Sequence, residues 1–192
     1  MSTQKEFPHH LVIRNLKLAD YEGIREIMEL VYKNAGGAWT KKEIRAQISV
    51  FQEGQIIIED NGKIVAAAFS LIVDYQKYGD KHTYQQITGG GTWGTHDPDG
   101  DTLYGIDVFV HPDYQNLRLG RRLYDARKEL CEKLNLRAII VGGRIPGYKK
   151  HAKKMSPAQY IEQVKLKELV DPVLSFQLAN DFHVRKVLTN YL

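Results

Sequence analysis

The chain has 192 residues, 43% hydrophobic and 26% charged, a length and balance that suit one globular domain with a real core and exclude a disordered or fibrous chain. Its net charge of +4 is modest, and its longest apolar stretch, Ile64–Phe69 with an extension to Val73, is too short to span a bilayer. One cysteine, Cys131, excludes an internal disulfide or a multi-cysteine zinc site and fits a reducing compartment, and Met1–Glu6 offers no apolar signal core, so a cytoplasmic location is expected.

Leu11-Val12-Ile13 reads as a short opening strand. Asp20 is then placed to cap a helix whose Ile24, Ile27, Met28 and Val31 share one face. A glycine-rich break at 34–38 precedes Thr40-Lys41-Lys42-Glu43, a capping box for a second helix carrying Ile44, Ile48 and Phe51. Ile56–Ile58 and Ile64–Ala67 flank Asp60-Asn61-Gly62 and predict a hairpin. Residues 75–101 form a long polar and aromatic connection, expected to be functional or ordered by short strands of its own. Thr102–His111 predicts a strand that Pro112 stops.

A helix after Gly120 follows, with Leu123, Ala126, Leu130 and Leu134 on one face, and then a strand at Ala138–Val141. Ser156-Pro157-Ala158-Gln159 is another capping box, and Asp171-Pro172 starts a last helix over Val173–Ala179. Phe182–Leu188 alternates as a final strand. Helices interleaved with strands around a hairpin predict an α/β domain, a mixed sheet covered on both faces, over residues 1–192.

Residues 141–192 hold nine Lys/Arg against four Asp/Glu, with a cluster at Lys149–Lys154. That excess reads as a solvated surface or as an attraction for an anionic ligand. No aromatic-interleaved recognition motif accompanies it, so nucleic acid is not an expected partner. His96-Asp97-Pro98-Asp99-Gly100-Asp101 spaces its carboxylates as calcium loops do. It lacks the closing bidentate glutamate and reads as a polar turn, so no metal is expected.

The stretch from Val108 to Leu123 carries the chemistry. A strand ends at Pro112, a polar loop follows, and a helix opens near Gly120. Such a loop presents unpaired backbone N–H groups to an anion, and Arg118, Arg121 and Arg122 add positive charge. A pyrophosphate-type site is expected there.

Val110-His111-Pro112 followed by Gln115-Asn116-Leu117-Arg118-Leu119-Gly120 resembles the signature of the GCN5-related N-acetyltransferase (GNAT) family, with Arg118 where the first glycine usually sits. Leu103–Asp107, Gly142–Tyr148 and Asp171–Leu178 are similar to GNAT domains found attached to nitrilase-type carbon–nitrogen hydrolases. The resemblance implies a mostly antiparallel sheet of about six or seven strands with a splayed parallel pair at its centre. It implies a chain that stops before its last strand, either as part of a longer protein or with an open edge that a second copy could pair, as a homodimer.

It further implies acetyl-CoA as cosubstrate. The pantetheine arm would pair with backbone at Val108, Phe109 and Val110, and the pyrophosphate would rest on Gln115, Asn116, Leu117, Arg118, Leu119, Gly120 and Arg121. The expected reaction is transfer of acetyl to a primary amine on a small molecule or a protein, by direct attack on the thioester. Asp107 or Tyr104 would serve as base, Asp107 only if a bulge turns it into the cleft. The family's thiolate-protonating tyrosine matches Gln177 here, so Tyr148 or another hydroxyl substitutes, or the thiolate leaves unassisted. The competing expectation is a module that binds acyl-CoA without turnover and docks on or regulates a partner enzyme.

Overall fold

The computed structural model describes residues 9–33 and 36–191; Met1–Glu6 and part of the 34–38 break lie outside them. The elements are β1 (Leu11–Asn15), α1 (Tyr21–Val31), α2 (Lys41–Phe51), β2 (Gln55–Asp60), β3 (Lys63–Val73), α3 (Tyr75–Tyr78), α4 (Tyr84–Ile87), β4 (Thr102–Val110), α5 (Leu119–Lys133), β5 (Ala138–Val141), α6 (Pro157–Lys165) and α7 (Leu174–Leu178). The strands lie in the order β1-β2-β3-β4-β5, antiparallel except for the parallel pair β4·β5.

The turn and two of the caps predicted from local chemistry have their physical counterparts. Asn61 and Gly62 both take positive φ, 49° and 83°, as a two-residue hairpin turn requires. Thr40 and Ser156 each close a reciprocal capping box, with Glu43 and Gln159. Asp20 precedes α1 as expected but does not cap it. Its carboxylate instead accepts two hydrogen bonds from the Arg14 guanidinium, at 2.8 and 2.9 Å, and one from the Lys17 N–H. A bidentate charged pair outcompetes a single neutral cap bond.

β3 is the central strand and is buried at every position after Lys63. Ile24, Ile27, Met28 and Ile44 of α1 and α2 pack on one face of the sheet, against Ile57, Ala67 and Phe69. Leu119, Leu123 and Leu130 of α5 pack on the other, against Ile56, Ile58 and Leu103. The connection 75–101 is ordered by two one-turn helices, capped by Asp74 and Thr83, rather than by strands. Its Trp93 is buried against Leu71 and Tyr104 and donates from Nε1 to the Glu43 carbonyl.

Among the described residues the sheet has five strands, fewer than the six or seven expected. Phe182–Leu188 alternates in sequence but joins no ladder. A strand needs a neighbour's N–H and C=O row, and a cavity of about 480 Å³ separates this segment from β5. Side-chain ties hold it instead: Lys128 to Asp181 at 2.7 Å and Arg185 to Asp80 at 2.8 Å. No helix among the described residues is long and apolar enough to cross a membrane.

Candidate active site

β4 and β5 are paired only from Thr102↔Ala138 to Gly105↔Val141. Beyond Gly105, β4 stays paired to β3 as far as Val110, and its other edge is open. The His111 N–H bonds the Val65 carbonyl at 2.8 Å. Since peptide groups alternate along a strand, those of Val108 and Val110 point to the open edge. A cavity of about 510 Å³ fills the splay. Gly105 stands at its apex, where a Cβ would lie 2.6 Å from a Val141 methyl, so the close approach of the two strands needs glycine.

Opposite Phe69 and Ser70 the register of β4 slips by one residue, so Ile106 is extra. This bulge is the one Asp107 needed. Tyr104 and Asp107 now oppose Leu71 and Phe69, two residues apart on β3, and therefore share a face. The bulge is pinned by Arg127 of α5, whose buried guanidinium donates to the carbonyls of Phe69 and Asp107 and to Ser70 Oγ.

Asp107 lines the cavity, half-buried. Tyr32 Oη, at the end of α1, donates to its two oxygens at 2.7 and 2.8 Å, and the Val108 N–H donates at 2.8 Å. Burial raises the Asp107 pKa above the ordinary carboxylate value, against the lowering effect of these donors and of nearby Arg127 and Arg144. Burial and the neighbouring carboxylate also raise the Tyr32 phenol, which keeps its proton and stays a donor.

The other two candidate catalytic residues sit elsewhere. Tyr104 is fully buried and lines no part of this cavity. Its hydroxyl lies 2.8 Å from His82 Nε2 and 2.7 Å from Tyr191 Oη, beneath the 75–101 segment. Tyr148 donates to the Met155 carbonyl and packs on Tyr160, also away from the cavity. Gln177 does reach it, beside Gly143, and carries no acidic proton.

In the loop expected to hold the cofactor, Pro112–Leu117 is a 3-10 turn, and Arg118 takes the left-handed conformation, φ 55°. A glycine would hold that conformation without strain, which explains the residue it replaces. α5 opens with no side-chain cap, so the first-turn amides of Leu119, Gly120 and Arg121 have no intrahelical acceptor. Gln115, Asn116, Arg118 and Arg121 are exposed around them. Leu117 and Leu119 face the core and offer backbone only. Gly120 is small for a reason the sequence did not show: a Cβ there would meet Phe176 of α7 at 2.9 Å. Phe109 is likewise buried, and its peptide groups point to β3 rather than to the open edge, so against expectation it offers the pantetheine arm no backbone partner.

Two residues of this region escaped the sequence reading. Arg127 stands at a buried-stripe position between Leu123 and Leu130, a charge on an apolar row that was a legible signal. Tyr32 continues the Ile24–Met28 row by four residues, past the helix end. Elsewhere, Asp97 pairs with Lys77 and Asp101 with Arg137. Among the described residues no three His, Cys, Asp or Glu side chains are grouped to hold a metal ion.

Comparison with known proteins agrees with this architecture. An N-acetyltransferase of uncharacterized function, YkwB of Bacillus subtilis strain 168, is 34% identical over 185 residues, 95% of this chain and 82% of that protein. A probable hydrolase of the same organism, YhcX, is 41% identical over 186 residues, 97% of this chain; the chain spans 36% of that relative's length. The loading GNATL domain of CurA from Lyngbya majuscula superposes with a TM-score of 0.79 at 25% identity, covering 93% of this chain and 87% of that one. The family model for the acetyltransferase (GNAT) family matches residues 22–147, from α1 through β5 and the turn beyond it, and the chain belongs to that family.

Proposed function

We propose that this chain transfers an acetyl group from acetyl-CoA to a primary amine. The single observation that carries the reading is the bulged, half-open β4, with Asp107 on one side of the splay and the uncapped start of α5 at its end. The residues fit the cosubstrate. The Leu119, Gly120 and Arg121 amides with the Arg118 and Arg121 side chains suit a diphosphate. The open peptide groups of Val108 and Val110 suit the amides of a pantetheine arm. The Val108 N–H is engaged by Asp107, which leaves the Val110 N–H to stabilise a developing oxyanion.

A primary amine with a pKa near that of lysine, about 10.4, is largely protonated at neutral pH. Asp107 takes one of its protons, and Tyr32 holds the carboxylate in position. The C–N bond forms as the thioester C–S bond breaks. Asp107 already carries the first proton, so the amine's second leaves to water, and the thiolate takes one from solvent, since Gln177 cannot supply it. Positioning of the two reactants contributes the largest share, up to about 7–11 kcal/mol of the barrier.

The test is release of free thiol from acetyl-CoA with a broad panel of primary amines. Amine-dependent thiol release that falls sharply in Asp107→Asn supports transfer. Gln177 favours the second reading, acyl-CoA binding without turnover. Tight binding of acetyl-CoA with no thiol release from any amine would establish that reading instead.

A further inference from the structure

The cleft's charge inventory points past "a primary amine" to a kind of amine. Among the residues lining the cavity, Asp107 is the only carboxylate, and it sits at the bulge beneath Tyr32. Two guanidiniums line it. Arg127 is committed to the Phe69 and Asp107 carbonyls and to Ser70. Arg144 is exposed, on the connection leaving β5, and among the described residues it has neither ion pair nor hydrogen bond.

Its charge bears on Tyr32, Tyr84 and Asp107, which belong to the α1–α2 side of the sheet. The loop expected to hold the diphosphate leads into α5, on the opposite side. The same connection carries Lys149 and Lys150 on the turn Pro146–Lys150, both exposed, with Lys153 and Lys154 just beyond. None of these lysines lines the cavity, whose one carboxylate beside the uncommitted Arg144 suits a single ammonium and disfavours a polycation. That pairing also leaves a plain monoamine with nothing to offer Arg144. A molecule that carries an ammonium at one end and an anion at the other satisfies both poles, and a planar carboxylate matches the guanidinium fork.

We propose that the acceptor is a free amino acid, its amine seated at Asp107 and Tyr32 and its carboxylate on Arg144. Arg144 is then a specificity-determining residue. This rests on the transferase reading, and the two are separable by experiment. Matched pairs are compared as acceptors, each amino acid against its own carboxamide, with acetyl-CoA in excess. The acid of a used pair should exceed its amide in kcat/KM by about tenfold or more, the worth of one charged hydrogen-bonded pair.

Arg144→Gln should erase that preference by raising the acceptor KM while leaving the KM for acetyl-CoA unchanged. Acceptor affinity is measured separately, by calorimetry on protein saturated with coenzyme A, so that it does not depend on turnover. Arg144-dependent binding of amino acids without turnover would sustain this site and overturn the transferase reading. Equal use of acids and amides, no amino-acid binding, or a rise in the acetyl-CoA KM in place of the acceptor's would each overturn the proposal.

Discussion

Asp107 shows how much one residue's role depends on a neighbour's displacement. Burial holds its proton to higher pH in the folded chain than in the unfolded one. The folded state therefore binds more protons, and stability falls as pH rises from the ordinary Asp value of 3.8 toward the folded pKa. Asparagine keeps an oxygen for Tyr32 and the Val108 N–H but cannot ionise. The melting temperature of the native chain should thus drop relative to that of Asp107→Asn across this window, then run parallel to it above. A constant difference from pH 3.5 to 8 would show that Asp107 is not destabilised by burial. The same variant should lose about 10²–10⁴-fold in kcat, the usual worth of a general base, and with it the acid limb of the pH–rate profile. Tyr104 makes the contrast: it shares Asp107's face, yet the 75–101 segment seals it from the cleft.

At the scale of elements, two buried polar groups fasten the pieces that frame the cleft. Arg127 ties α5 to the β3–β4 bulge through two carbonyls and a hydroxyl. Arg127→Met matches its bulk but orphans those carbonyls, at about 1–3 kcal/mol each. Chemical denaturation should show a loss of roughly 2–6 kcal/mol, with weakened acetyl-CoA binding as the bulge relaxes. A loss of stability with unchanged binding would mean that the bulge stands without it.

Asp171 is the second fastener. It is fully buried and accepts from the N–H groups of Gly147, Val173 and Leu174 and from Tyr160 Oη. It thereby caps α7 and anchors the turn that follows Arg144. Asp171→Ala should cost at least about 3 kcal/mol, since several donors lose a charged acceptor at once. The measurement is again denaturant unfolding, and a cost under 1 kcal/mol would show that water replaces the carboxylate.

For the whole molecule, a ligand that bridges α5 and the open edge of β4 should register as global stability. Acetyl-CoA at 100 times its dissociation constant should add about 2.7 kcal/mol, or roughly 5–10 °C in a domain of this size. Arg118→Glu combined with Arg121→Glu, both at exposed positions, should remove most of that shift while moving the unliganded melting temperature little. Gly120→Glu is the poorer probe, because its Cβ would collide with Phe176. An undiminished shift in the double variant would place the diphosphate elsewhere. What the sequence determined alone was local: the caps at Thr40 and Ser156, the Asn61-Gly62 turn, the apolar faces of α1 and α5, and the signature from Val110 to Gly120. Those features are set by neighbours a few residues apart, so they are written in the order of the chain. Only the tertiary structure decided that Ile106 bulges, that Arg127 holds the bulge, that Tyr104 is taken by other partners, and that Tyr32 meets Asp107 in a cavity that Arg144 also lines. These depend on contacts between residues 20 to 87 positions apart, where burial and hydrogen-bond competition, not local propensity, choose the winner.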